Sequence, residues 1–259
     1  MTMYDLPDEI QVEADGPIRV IRLNRPDELN ATNRELHKGL AELFPQLDAD
    51  LDARVAVLTG NGRAFSAGGD FGYIDELTKD VDLRRETLVH GRQIVEGMVA
   101  CRLPVVAAVN GPAVGLGCSL VALSDIVFMA ESAHLADPHV LLGLVAADGG
   151  PVTWPLLTSL QLAKEYALTG DRISAERAAQ IGLANHVCPD AEVFDEALAC
   201  AKKIAKLPQK ASEDTKRILN LQLERAVLST IDFALTAEDR SFRSPELRAN
   251  IDRLRRPRE

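Results

Sequence analysis

At 259 residues, 46% apolar and 26% charged, the chain is long enough for one large domain or two modest ones and has a soluble, globular balance. Its formal charge of −10 argues against nucleic acid as a partner and requires a local basic patch for any anionic ligand. With no apolar run of membrane-helix length, an acidic start (MTMYDLPDEIQVEADGP) unlike a secretory signal, and four cysteines without C-x-x-C spacing or disulfide density, a cytoplasmic protein free of membrane attachment is expected.

Short β-branched runs recur, several closing on a glycine-bearing turn. IRVIRL (18–23) predicts a strand leading into NRPDELN. NRELHKGLAELFPQLDADLD then carries Leu36, Leu40, Leu43 and Leu47 at helical spacing. VAVLTG (55–60) predicts a second strand, followed by NGRAFSAGGD. LRRETLVHGRQIVEGMVACR sets Leu83, Leu88, Ile94, Val95 and Met98 along a helical stripe. PVVAAVNG (104–111) and DIVFMA (125–130) predict two more strands. Strands alternating with helices point to an α/β core rich in parallel pairings. Past residue 160 the strand signal thins: SLQLAKEYALTG ends on Gly170, a helix C-cap, and SAERAAQIGLANHV has a capping-type start at Ser174 and Arg177. DAEVFDEALACAKKIAKLP, the long QKASEDTKRILNLQLERAVLSTIDFALTAEDRSF and the basic LRANIDRLRRPRE are helical in pattern. The expected organisation is an α/β core over 1–195 and a helical region over 196–259, packed as one unit with no linker between them.

Two glycine loops, NGRAFSAGGDF (61–71) and NGPAVGLGCSL (110–120), each follow a strand and precede a helix. Glycine there lets the backbone approach a ligand closely, and N–H groups at such turns point toward a negative oxygen. Plain tight turns are the alternative reading for either loop alone. GLG with Asp137 twenty residues beyond Gly117 imitates part of a dinucleotide fingerprint, but the third glycine is absent and the loop lies mid-chain. No P-loop, H-E-x-x-H or G-x-S-x-G motif is present.

Taken in order, GRAFSAGGDF, PVVAAVNGPAVGLGCSL and SDIVFMAESAHLADP resemble the crotonase superfamily, the enoyl-CoA hydratase/isomerase family. The likeness runs from NRPDELNA through LTGDRISAERAAQIGLANHV into the helical tail. It implies a spiral of ββα units whose C-terminal helical region builds a homotrimer or a dimer of trimers. It also implies an acyl-CoA substrate, with coenzyme A present only as part of that substrate, no permanent cofactor and no metal. The thioester carbonyl oxygen is then expected between the backbone N–H groups of Gly69, in SAGGD, and Leu116, in VGLGC. Fixed dipoles stabilise an enolate or tetrahedral oxyanion, and losing one such donor costs about 3–4 kcal/mol. By the same resemblance, backbone around Ala31 and Ala67 receives the adenine and pantetheine parts of CoA; Asp70 is grouped with them as a CoA-binding residue, with capping of the next helix as its other reading.

DPHVLLGLVAADGG (137–150) is oily yet holds His139 and Asp148, whose burial costs desolvation energy unless they are paired or used. Where hydratases of this family carry two glutamates, the chain has Ser119 and His139, so the usual hydratase pair is absent. Ser119 is expected to orient a water or substrate oxygen, or else to cap a helix. His139 is expected to act as acid/base with Asp148 orienting its ring, against the alternative of a hydrogen-bonded structural histidine. The His139/Asp148 pattern also resembles the β-diketone hydrolases typified by 6-oxocamphor hydrolase, where such a pair activates water to break a carbon–carbon bond. The second histidine which that branch implies near 110–120 has no counterpart. Three functions stand: an acyl-CoA enzyme of the hydratase/isomerase type, a CoA-independent β-diketone hydrolase, and a catalytically silent acyl-CoA-binding protein. His37 and His90 are expected to face solvent or pack locally, His134 and His186 to be structural, and Trp154 to be a core or subunit-contact aromatic. Arg253, Arg255, Arg256 and Arg258 read as a solvated helix end that meets CoA phosphates in the alternative.

Overall fold

The acidic segment IQVEAD forms β1 (Ile10–Asp15), which turns at Gly16 and pairs antiparallel with β2 (Ile18–Leu23). The chain is seen here in a computed structural model that describes residues 4–255. It continues through α1 (Arg34–Ala49), β3 (Val55–Gly60), α2 (Phe71–Lys79), α3 (Val81–Ala100), β4 (Val105–Val109), β5 (Ala113–Val114) and α4 (Leu116–Leu123). Next come β6 (Ile126–Ala130), β7 (His134–Ala136), α5 (His139–Leu142), α6 (Gly150–Leu157), α7 (Leu160–Thr169), β8 (Ile173–Ser174) and α8 (Ala175–Ile181). The last elements are β9 (His186–Cys188), α9 (Val193–Ala205), α10 (Gln209–Ser241) and α11 (Pro245–Arg255).

One sheet runs in the order β1-β2-β3-β4-β6-β9 and is parallel from β2 onward, while β5, β7 and β8 make a small second sheet. The chain visits both sheets in turn. β4, β5 and α4 form one repeat, and β6, β7 and α5 the next. In the preceding repeat, β3 leads to a bridge between Ser66 and Ala113 and then to α2. This is the ββα spiral of a crotonase-like α/β fold. Residues Val55–Gly60 and Val105–Val109 are buried at every position, as parallel strands covered on both faces require. The leucines at helical spacing in α1, Leu36, Leu40, Leu43 and Leu47, are fully buried. Gly170 adopts the left-handed conformation at the end of α7 (φ 69°), and the Ser174 hydroxyl accepts from Arg177 N–H at 3.2 Å.

The expected division at residue 195 falls inside the first turn of α9, which lies against β3, β4 and β6 and belongs to the sheet's covering layer. The helices beyond it are α10, which packs on α3 and α6, and α11, which packs on α2 and α5. Among the described residues no helix is long and apolar enough to cross a membrane.

Candidate active site

Because β3 and β4 are parallel neighbours, the loops leaving their C-terminal ends lie side by side. The Phe65 and Ser66 N–H groups donate to Pro112 O at 3.1 and 3.0 Å, and Val114 N–H donates to Ser66 O at 2.9 Å. Gly117 brings α4 against the other loop, since a Cβ there would stand 2.7 Å from Ser66 Cβ. Gly115, at φ 53° and ψ −123°, occupies a conformation that side-chain-bearing residues avoid. Its turn starts α4 with the Leu116 N–H, one of the donors a helix leaves without an internal partner. Gly68, at φ 91°, makes the corresponding turn before Gly69. Among the described residues, neither the Gly69 nor the Leu116 N–H donates to a protein carbonyl, and both residues line one cavity.

His139, Asp148 and Glu238 line the same cavity. Asp137 follows β7, and Pro138 then starts α5, on whose first residue His139 sits. The ring Nδ1 of His139 hydrogen-bonds to Oδ1 of the buried Asp137. Its Nε2 faces Asp148 Oδ2 at 3.7 Å. The other Asp148 oxygen accepts from Ser119 Oγ at 2.8 Å. Gly149 allows this approach: its φ is 126°, and a Cβ there would lie 3.3 Å from Ser119 Cβ. The direct hydrogen bond to the imidazole thus comes from Asp137, two residues away on the strand end that launches α5, while Asp148, the partner expected from the sequence, faces the other nitrogen across a wider gap. Ser119 lies inside α4, where it caps nothing and instead holds Asp148.

Burial opposes a charge on His139, but Asp137 first and Asp148 second outweigh it and push the imidazole pKa up to about 10. Despite its own burial, Asp137 is held below the usual carboxylate range by the His139 charge and hydrogen bond. Burial raises Asp148, with the Asp137 charge adding to it and His139 and Ser119 pulling back. Glu238, contributed by α10, was not anticipated from the sequence. Desolvation pushes its pKa up to about 8, so it is a neutral acid near pH 7. Asp137, His139 and Asp148 gather three ligand-type atoms within 4.8 Å of one another. The two carboxylates face different ring nitrogens, an arrangement that also suits proton transfer through the imidazole.

The cavity measures about 560 Å³, the size of a small-molecule site, and Ile74, Leu77, Leu88, Leu142, Leu235 and Phe242 give it apolar walls. Ala67 lines it, with its N–H taken by Leu29 O at 2.9 Å. Ala31 is not among the lining residues, and its N–H donates to Glu28 O at 3.0 Å. Asp70 caps α2, accepting from Gly72 N–H at 2.8 Å and Tyr73 N–H at 3.2 Å. His37 is neither solvent-facing nor remote: it is buried and lines the cavity. His90 lies beside it at 6.1 Å between ring centroids, and His186 stacks on Phe128 at 4.5 Å. His134 is on β7 and Trp154 is buried in α6. Arg253 reaches the cavity edge, as does Arg172. Arg256 and Arg258 lie outside the described residues, as does the side chain of Arg255.

A parallel-sheet ββα spiral with unpaired amides at two adjoining loop ends defines a crotonase-like protein. The chain belongs to the enoyl-CoA hydratase/isomerase family, whose model ("Enoyl-CoA hydratase/isomerase") matches residues 13–253. Proteins of this family act on acyl-CoA thioesters in fatty acid metabolism. The chain is similar to the crystal structure of an enoyl-CoA hydratase/isomerase from Mycobacterium paratuberculosis: identity is 65% and TM-score 0.95, covering 96% of this chain and 100% of that one. It is 35% identical over 207 residues to the mitochondrial enoyl-CoA hydratase of Pongo abelii, covering 80% of this chain and 70% of that protein. A β-diketone hydrolase from Anabaena, solved with (S)-3-oxocyclohexyl acetic acid bound, shares 25% identity at a TM-score of 0.84, covering 91% of this chain and 94% of that one.

Proposed function

We propose that the chain binds an acyl-CoA thioester in this cavity, holds its carbonyl oxygen between the Gly69 and Leu116 amides, and shifts a carbon–carbon double bond by proton transfer at His139 and Asp148. The observation that carries this reading is the placement of Nε2 and Oδ2, 3.7 Å apart, on the cavity that both unpaired amides line. Removing a proton beside the thioester sends negative charge onto the carbonyl oxygen, where two fixed N–H donors stabilise the resulting dienolate. Asp148 takes that proton, and the His139 imidazolium returns one at the far end of the allylic unit. The short gap between the two groups lets Asp148 pass its proton back to His139 for the next cycle. Asp137 keeps the ring charged and aligned. Hydration is less well served, because Ser119 supplies no carboxylate and its hydroxyl is engaged with Asp148. Coenzyme A enters with the substrate and no resident cofactor is required.

The test is conversion of a 3-enoyl-CoA to the conjugated 2-enoyl-CoA, followed by absorbance. The wild type is expected to turn over, with His139→Gln and Asp148→Asn each slower by a factor of about 10²–10⁴. Full activity in either variant, or no acyl-CoA binding at millimolar ligand, defeats the reading. Turnover by the wild type also disposes of the silent-binder alternative. A second reading, CoA-independent hydrolysis of a β-diketone, draws on the Asp137–His139 dyad and the likeness to the Anabaena hydrolase. It requires carboxylic acid release from a cyclic β-diketone without CoA. We also propose assembly as a homotrimer or dimer of trimers through the helical C-terminal region, supported by the exposure of Leu219, Leu228 and Phe233 on α10 and testable by light scattering. The proposed location is the cytoplasm, which suits four free cysteines.

A further inference from the structure

We propose that His37 and Tyr73 form a hydroxyl-recognition site in the acyl chamber, so that the preferred acyl group carries a hydroxyl several bonds from the thioester. This deepens the acyl-CoA reading above and rests on it. Both residues line the cavity, His37 from α1 and Tyr73 from α2, among the apolar side chains of Ile74, Leu77 and Leu88. A plain hydrocarbon chain would leave His37 Nδ1 without a partner and Tyr73 Oη with Thr87 alone.

The hydrogen bonds define what is missing. Thr87 Oγ1 donates its hydrogen to Leu83 O at 2.8 Å. At the 2.5 Å contact between Tyr73 Oη and Thr87 Oγ1, the tyrosine must therefore be the donor. Its oxygen still has lone pairs open and no hydrogen left to give. His37 is 8% exposed, and its Nδ1 has no hydrogen-bond partner. Its ring centroid lies 6.4 Å from that of Tyr73. Burial, assisted by His90, holds the His37 pKa down at about 3, so the ring is neutral with one N–H donor and one acceptor nitrogen. The broad χ2 torsion of histidine lets either nitrogen turn toward a ligand.

A hydroxyl answers this set: it donates to Tyr73 Oη and accepts from the His37 N–H. A ketone oxygen can only accept and leaves the tyrosine lone pairs unanswered. A carboxylate or ammonium would be desolvated against apolar walls with no counter-charge from His37 or Tyr73. Tyr73 stands in the first turn of α2, four residues beyond Gly69, so the hydroxyl is proposed to lie several carbons from the carbonyl.

Calorimetry with hexanoyl-CoA and its ω-hydroxy analogue tests the inference on the wild type, His37→Leu and Tyr73→Phe. The wild type is expected to bind the hydroxylated thioester at least about tenfold more tightly, because a site built around a hydroxyl rejects the analogue lacking it. That difference should shrink to about threefold or less in each variant. Equal wild-type affinities, or a preference surviving in both variants, overturn the hydroxyl site while leaving the acyl-CoA reading intact. Binding of neither thioester by the wild type overturns the acyl-CoA reading and the hydroxyl site with it. Tyr73→Phe keeps the ring's shape, so a folding defect in His37→Leu does not block the test.

Discussion

Replacing Asp137 by Asn separates the two carboxylates that face His139. The imidazole titrates at about 10 instead of 6.5, a preference for the charged form of ~5 kcal/mol that the carboxylates maintain against burial. Asp137 is the larger of the raising influences and makes the direct hydrogen bond. A neighbouring opposite charge moves a pKa by about 1 to 3, or ~1.4–4 kcal/mol, so His139 in Asp137→Asn should titrate between about 7 and 9. The assay is an NMR pH titration of the ring Cε1–H. The same linkage reaches stability. A raised histidine pKa stabilises the fold fully below pH 6.5, and that contribution is lost as pH rises through about 10. The Asn variant should therefore lose stability against wild type at pH 6 and differ from it least near pH 10. A His139 that still titrates near 10 in Asp137→Asn, or a larger fall in Asp148→Asn, would refute the assignment of Asp137 as the orienting group.

Ser119→Ala removes the 2.8 Å hydrogen bond to Asp148, so its carboxyl should rise further and turnover should fall about tenfold, checked by the pH–rate profile. Gly117→Ala sets a methyl 2.7 Å from Ser66 Cβ and forces the two loops apart. It should cost ~1–3 kcal/mol in denaturant unfolding and reduce kcat through misplaced amides. Glu238→Gln mimics the neutral acid present near pH 7. In wild type, the raised carboxyl pKa makes stability fall as pH climbs from 4.5 through about 8, a slope that Tm measurements should find reduced in the Gln variant.

Much of the spiral was legible because β2, β3, β4 and β6 are β-branched runs followed by turn residues, and their boundaries fall within a residue or two of the observed ones. β5, β7, β8 and β9 were not, since two or three residues carry no periodicity. β1 was hidden by its acidic outer face: Glu13 and Asp15 are exposed and make the strand look like a charged leader. In the site, Gly69 and Leu116 came from the resemblance to the crotonase superfamily, since the glycine loops alone read equally as tight turns. The Asp137–His139 bond was missed because D-P-H reads as a turn, although a carboxylate two residues before a buried histidine was the available signal. Glu238 offered no local signal, as it comes from a charged helix about a hundred residues downstream and becomes a neutral acid only through tertiary burial. His37 looked like a surface residue of α1 until α2 and α3 closed over it.

The most direct measurement is a crystal structure with a non-reactive acyl-CoA analogue bound. The account predicts the thioester oxygen about 2.7–3.1 Å from both the Gly69 and Leu116 nitrogens, with the His139 ring within reach of the adjacent carbons. An oxygen that meets neither nitrogen, or amides found bonded to the protein's own carbonyls, would contradict it.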